Sequence, residues 1–216
     1  EAPDSDNDAA TGSFTVGVDD DVPVATAPGD TVSVNEANLP SAANPSGHTQ
    51  AAVGFLHINW GADNGDGKHL AFVKDADGHV VGPALTSDGV QLDYVIRFPS
   101  GSPGNEQIVA YKHGGDPDAN PVFSITLYEQ GHGYYAYAQY QNIDHSAQGT
   151  DLDVLNFNVI ATDDDGDSVQ TSITVNVTDD VPHSVLTSTE TPLIVDETAG
   201  QDSGTNDVAS PPALLA

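Results

Sequence analysis

Residues 155–177 read LNFNVIATDDDGDSVQTSITVNV. Leu155, Phe157, Val159 and Ala161 recur at every second position, and so do Val169, Thr171, Ile173, Val175 and Val177. In extended chain, successive side chains point to opposite faces, so each set lines one side of a strand. Between the two strands lies Asp163-Asp-Asp-Gly-Asp167, whose residue types close turns. The stretch is therefore a β-hairpin with one face for a core and an acidic tip.

Upstream, the same period returns. Val53–Trp60 reads as a strand that places Leu56, Ile58 and Trp60 on one face. Val90–Arg97, Gln107–Lys112 and Val122–Tyr128 follow, the last alternating Phe123, Ile125 and Leu127 against Ser124, Thr126 and Tyr128 as a half-buried strand would. Residues 134–140 (YYAYAQY) are aromatic and β-prone. Turn formers separate the runs at 65–67, 77–78, 88–89, 99–104 and 114–121, and no window sustains a 3.6-residue period. Many short strands at this spacing predict an all-β fold, an antiparallel sandwich of two packed sheets.

The hairpin's second strand has an echo. Residues 172–182 read SITVNVTDDVP and residues 13–23 read SFTVGVDDDVP, an offset of 159. The offset holds for Asp4-x-Asp6-Asn7-Asp8 against Asp163-x-Asp165-Gly166-Asp167, and Val34-Asn35-Glu36 answers Val195-Asp196-Glu197 two residues later. Self-similarity at one long period implies a tandem array. Repeats of this size can each bury a core. The expected division is residues 1–21 as the tail of a preceding repeat with its linker, 22–180 as a complete repeat, and 181–216 as a linker and the start of the next. In a sandwich whose first and last strands run the same way, the 163–167 loop lies beside the incoming linker, Asp19-Asp20-Asp21-Val22-Pro23.

Acidic residues number 33 against four basic ones, giving a net charge of −29. Such a surface excludes nucleic acid and anionic lipid as partners, since both require Lys and Arg. It also disfavours self-association, so a monomer is expected. Disorder is the other reading of strong acidity; it is set aside for 50–180, where apolar runs recur, and kept for 1–10 and 198–216. There is no Cys, hence no disulfide, and no apolar run long enough for a membrane span.

Residues 156–182, together with Asn142-Ile-Asp-His145 and Val34–Leu39, resemble the long tandem repeats of giant RTX adhesins. That resemblance implies an Ig-like or cadherin-like extender domain of a bacterial surface protein exported by type I secretion, often stiffened by calcium and serving cell adhesion or biofilm. The glycine-rich nonapeptide that names the wider class is absent, which points to the stalk. The DDVP linkers resemble the calcium-binding junctions of cadherins, by analogy alone.

Asp163, Asp165 and Asp167 carry the alternating spacing with which a calcium loop aims carboxylates at one point. The alternative is an acidic turn with solvated carboxylates. With the linker beside the loop, Asp20 or Asp21 joins the same ion, helped by Glu36, while Asp179 and Asp180 offer the matching half-site to the next repeat. Asp63–Gly67 and Asp75–Gly78 read as Asx turns. The eight His are scattered with no zinc spacing, and His145 after Asp144 reads as a turn residue. Trp60, Tyr134, Tyr135, Tyr137 and Tyr140 could stack on a glycan, although core residues have the same pattern. No nucleophile motif or P-loop is present and no carboxylate pair stands out, so an enzyme is not expected.

Overall fold

Period-two apolar patterning gives the described part of the chain its longer strands, and these assemble into two packed sheets. A computed structural model describes residues 12–17, 19–41, 44, 46–99, 104–146 and 151–180, with the backbone of 2–3 and 9–10. All of these belong to one unit, Glu1–Val181. Residues 181–216, expected as the next linker and repeat head, lie outside the described residues.

The elements are β1 (Ala2–Pro3), β2 (Ala9–Ala10), β3 (Val24–Ala25), β4 (Thr31–Asn35), a 3₁₀ turn (Glu36–Asn38), β5 (Gln50–Phe55), β6 (Ile58–Asn59), β7 (His69–Phe72), β8 (Thr86–Ser87), β9 (Val90–Arg97), β10 (Gln107–Lys112), β11 (Pro121–Tyr128), β12 (Tyr134–Gln139), β13 (Leu152–Thr162) and β14 (Ser168–Thr178). One sheet has six strands in the order β5-β12-β11-β10-β9-β8 and another four in the order β4-β14-β13-β7. The fold is an all-β sandwich. Among the described residues its pairings are antiparallel with one exception: β4 runs parallel to β14, Thr31 opposite Thr174 and Asn35 opposite Thr178. First and last strands of the sandwich thus point the same way.

The two inner faces meet through aromatic rings. Phe157 of β13 packs edge-on against Phe123 of β11 with centroids 6.1 Å apart, and Tyr94 and Tyr137 close the cluster. Leu155, Val159 and Ala161 of β13 and Ile173, Val175 and Val177 of β14 are buried beside them. Tyr135 ties the sheets by a polar contact, its hydroxyl donating to the Asp30 carbonyl at 2.6 Å.

Three expectations are corrected. The strand over 53–60 is broken at His57, whose φ of 56° turns the chain out of β5 and into pairing with β3. Leu56, Ile58 and Trp60 nevertheless all enter the core. Strand β11 is covered on both faces: Ser124 and Thr126 are buried, bonded to the Tyr140 hydroxyl and the Gln107 amide. The SFTVGV segment forms no strand among its described residues, and Phe14 and Val16 stand in solvent.

The 11-residue hairpin arms set the functional geometry. At ~3.3 Å per residue, the 163–167 loop and residue 178 stand about 33 Å apart along the sheet. The linker enters near the first and leaves from the second.

Candidate metal centre

At the entry pole, three segments converge. Pro23 is buried, anchoring the DDVP linker to the sandwich. Just before it, the Asp21 carboxylate accepts the Ala62 N–H at 2.7 Å. Gly61 adopts φ +70°, and a Cβ there would stand 2.3 Å from Asp21 Oδ2, so the close approach needs glycine. The loop after Ala62 is joined to the hairpin tip twice: Asp164 N–H donates to the Asp63 carbonyl at 3.1 Å, and Asp164 Oδ1 accepts the Gly67 N–H at 2.5 Å.

Inside this frame, carboxylates crowd together. Oxygens of Asp163, Asp165 and Asp167 lie within 4.8 Å of one another, and so do those of Asp20, Asp63 and Asp165. Asp165 therefore belongs to both groups. Asp163 is the buried member, 1 % exposed. Its Oδ1 accepts the N–H groups of Gly166 and Asp167 at 3.1 and 2.8 Å, which folds the tip. Its Oδ2 is buried with no hydrogen-bond partner. A buried carboxylate oxygen without a donor is costly unless a cation satisfies it.

The chain's own cations do not serve. Lys74, Arg97 and Lys112 pair with Glu106, Asp118 and Asp88, and Lys68 donates to the Gly65 carbonyl. Proton affinities register the crowding. Asp165 is pushed up to about 6, first by the adjoining Asp163 carboxyl, then by lost hydration and the Asp20 charge. Asp63 is raised by lost hydration and by Asp20, Asp163, Asp21 and Asp164. An all-oxygen donor set that binds protons too tightly suits a hard divalent cation.

The structure brings Asp20 to Asp165, brings Asp21 to the adjoining loop, and adds Asp63, whose Asx-turn composition does not by itself mark a ligand. Glu36 is elsewhere. Because β4 runs parallel to β14, Glu36 sits at the exit pole beside Asp179, and its carboxylate groups with His145 and Asp179. Asp180 accepts from the Asn142 amide at 3.3 Å. His145 is also reassigned: its side chain is 2 % exposed and faces Glu36 and Asp153, so it is an interior residue and not a turn residue. Burial pushes Glu36 up to about 7, against the lowering effects of the Ile143 N–H, His145 and Gln139.

The exposed Asp75–His79 loop keeps its turn chemistry, with Asp75 Oδ1 accepting the Asp77 and His79 N–H groups. Of the five aromatic residues considered for a stacking surface, Trp60, Tyr135 and Tyr137 are core. Tyr134 stacks on Tyr128 at 4.6 Å. No family model, curated protein or solved structure matches this chain. Among the described residues, no helix is long and apolar enough to cross a membrane.

Proposed function

We propose that residues 22–180 are a calcium-stiffened extender repeat, an Ig-like or cadherin-like sandwich in the stalk of a bacterial surface adhesin exported by type I secretion. One observation carries the reading: the acidic linker entering the domain lies against the domain's own acidic loop, around a buried Asp163 oxygen with no partner. Asp20, Asp63, Asp163, Asp165 and Asp167 would hold the ion, with Asp21 keeping the linker in place. The partners are adjacent repeats of the same polypeptide, and the role is reach and rigidity in adhesion or biofilm, without catalysis.

The mechanism follows from charge. Without calcium the linker and loop carboxylates repel, so the linker leaves the loop and the joint flexes. Bound calcium replaces that repulsion with shared ligation and fixes the linker's angle. Entry and exit at opposite poles turn each fixed joint into added length. Extracellular calcium modules bind at about 10⁻⁴–10⁻³ M. At ~1 mM calcium, a site at the tight end adds about 1.4 kcal/mol per ion. A chain that stays loose in low-calcium cytosol and stiffens outside suits export.

Thermal melts and small-angle scattering, in calcium and in chelator, test this on the wild type and on Asp165→Ala/Asp167→Ala. Calcium should raise the melting temperature and extend a monomer, and the variant should lose both responses. A wild type indifferent to chelator would end the proposal.

A further inference from the structure

The exit pole holds a second constellation of different chemistry. Glu36 opens the 3₁₀ turn after β4, His145 lies between β12 and β13, and Asp179 follows β14. One ligand atom from each falls within a 4.8 Å group. The Glu36 side chain is fully buried. Its Oε1 is well used, accepting the Ile143 N–H at 2.8 Å and the Gln139 amide. Its Oε2 has no hydrogen-bond partner. His145 Nε2 stands 3.4 Å from that oxygen without a hydrogen bond, and neither ring nitrogen has a partner.

Three buried, lone-pair-bearing or protic atoms without partners are unusual in one place. The contrast is Glu106, also buried, whose carboxylate is satisfied by the Phe72 N–H and the Lys74 ammonium. At the exit pole Glu36 Oε2 and His145 Nε2 face each other with no such donor beside them. Two ligands at ~2.0 Å from a tetrahedral ion are about 3.3 Å apart, and Oε2 and Nε2 already have that separation. The donors select the ion class. Calcium takes oxygen, whereas imidazole with carboxylates suits zinc and its transition-metal neighbours. The far ring nitrogen completes the pattern: His145 Nδ1 is 3.6 Å from Asp153 Oδ2, in the place where a metal-bound imidazole hands its other N–H to a carboxylate. A cleft of about 650 Å³, lined in part by Thr86, Asp144, His145 and Asp153, reaches the imidazole from its Asp153 side.

We propose that Glu36, His145 and Asp179 form a zinc-type transition-metal site, with Asp153 positioning the imidazole. Asp179 belongs to the outgoing linker, so the ion ties that linker to the body of its own repeat. At the 159-residue offset, Asp179 is also the counterpart of Asp20. The linker carboxylate that closes this site in one repeat is thus the one that reaches the acidic loop of the next. The zinc site itself uses residues of one repeat only and stands whether or not the entry pole binds calcium.

The test is calorimetric titration of zinc chloride into the tag-free chain in excess calcium, with cobalt(II) absorption as a second readout. One ion per chain is expected, with visible bands of a low-coordinate imidazole-ligated cobalt. His145→Gln and Glu36→Gln should abolish binding, Asp179→Asn should weaken it at least tenfold, and Asp153→Asn by about 10–100-fold. Asp165→Ala/Asp167→Ala should leave zinc affinity unchanged even if calcium binding is lost, which separates this site from the entry pole. Absence of zinc binding overturns the proposal, as does binding that survives His145→Gln or disappears with His79→Ala at the exposed Asp75–His79 loop. Should the buried variants fail to fold, Asp179→Asn decides: full affinity there also overturns it.

Discussion

Asp163 performs two tasks that substitution can separate. Its Oδ1 folds the hairpin tip through the Gly166 and Asp167 N–H groups, and its Oδ2 is the orphan atom offered to calcium. Asp163→Ala removes both. Hydrogen bonds to a charged acceptor contribute about 1.5–3 kcal/mol each, so losing two should cost about 3–6 kcal/mol. That cost should appear in chelator and in calcium alike. Asp163→Asn keeps an oxygen at Oδ1 and puts an amide donor where Oδ2 stood, facing the carboxylates of Asp165 and Asp167. In chelator its stability should equal or exceed the wild type's. In calcium it should fall below, because the calcium increment is gone. Urea unfolding of the three proteins with and without calcium reads all four differences. If Asp163→Asn keeps the full calcium increment, Oδ2 is not a ligand; if both variants behave alike, the two tasks have been wrongly divided.

In chelator, stability should fall as pH rises from about 5 to about 8, the reverse of an ordinary carboxylate surface. Asp165, raised to about 6, Glu36, raised to about 7, and Asp63, raised by lost hydration and its acidic neighbours, all bind protons more tightly folded than unfolded. Their contribution is complete below the ordinary carboxyl range and is lost as pH passes the raised values; melting temperatures across that window check it, and calcium should flatten the share from the entry pole. Asp30, Asp75 and Asp144 have lowered values, so their opposite effect is confined to more acidic solution. Tyr135→Phe should cost about 1–2 kcal/mol by leaving the Asp30 carbonyl without its donor. Urea unfolding should give the same loss with and without calcium, since the contact lies between the sheets and away from either pole.

The hairpin 155–177 was legible because its apolar residues keep a strict period of two and its turn residues sit together. Its topological consequence was legible as well: a parallel first and last strand puts the incoming linker beside the acidic tip. The break at His57 was not, because a left-handed backbone at a non-glycine residue leaves no compositional mark. Neither was the covering of β11 on its Ser124 and Thr126 face, which neighbouring strands provide. Asp63 was misread since an Asx turn and a ligand loop share the same residues. Glu36 was assigned to the wrong pole: its position in the repeat said that it lay just inside the domain, but only the register of β4 on β14 says at which end. His145 and Glu36 are far apart in sequence and meet only through tertiary packing, so no spacing rule for metal ligands could have joined them.

The central claim is an ion at the entry pole. Crystals grown in calcium, with diffraction collected where calcium scatters anomalously, test it directly. An anomalous peak is expected, bounded by Asp163 Oδ2 and Asp165, with Asp20 or Asp63 completing the ligand set from the other side. An ordered 163–167 loop with no anomalous density there, or with Asp163 Oδ2 satisfied by water alone, would contradict it.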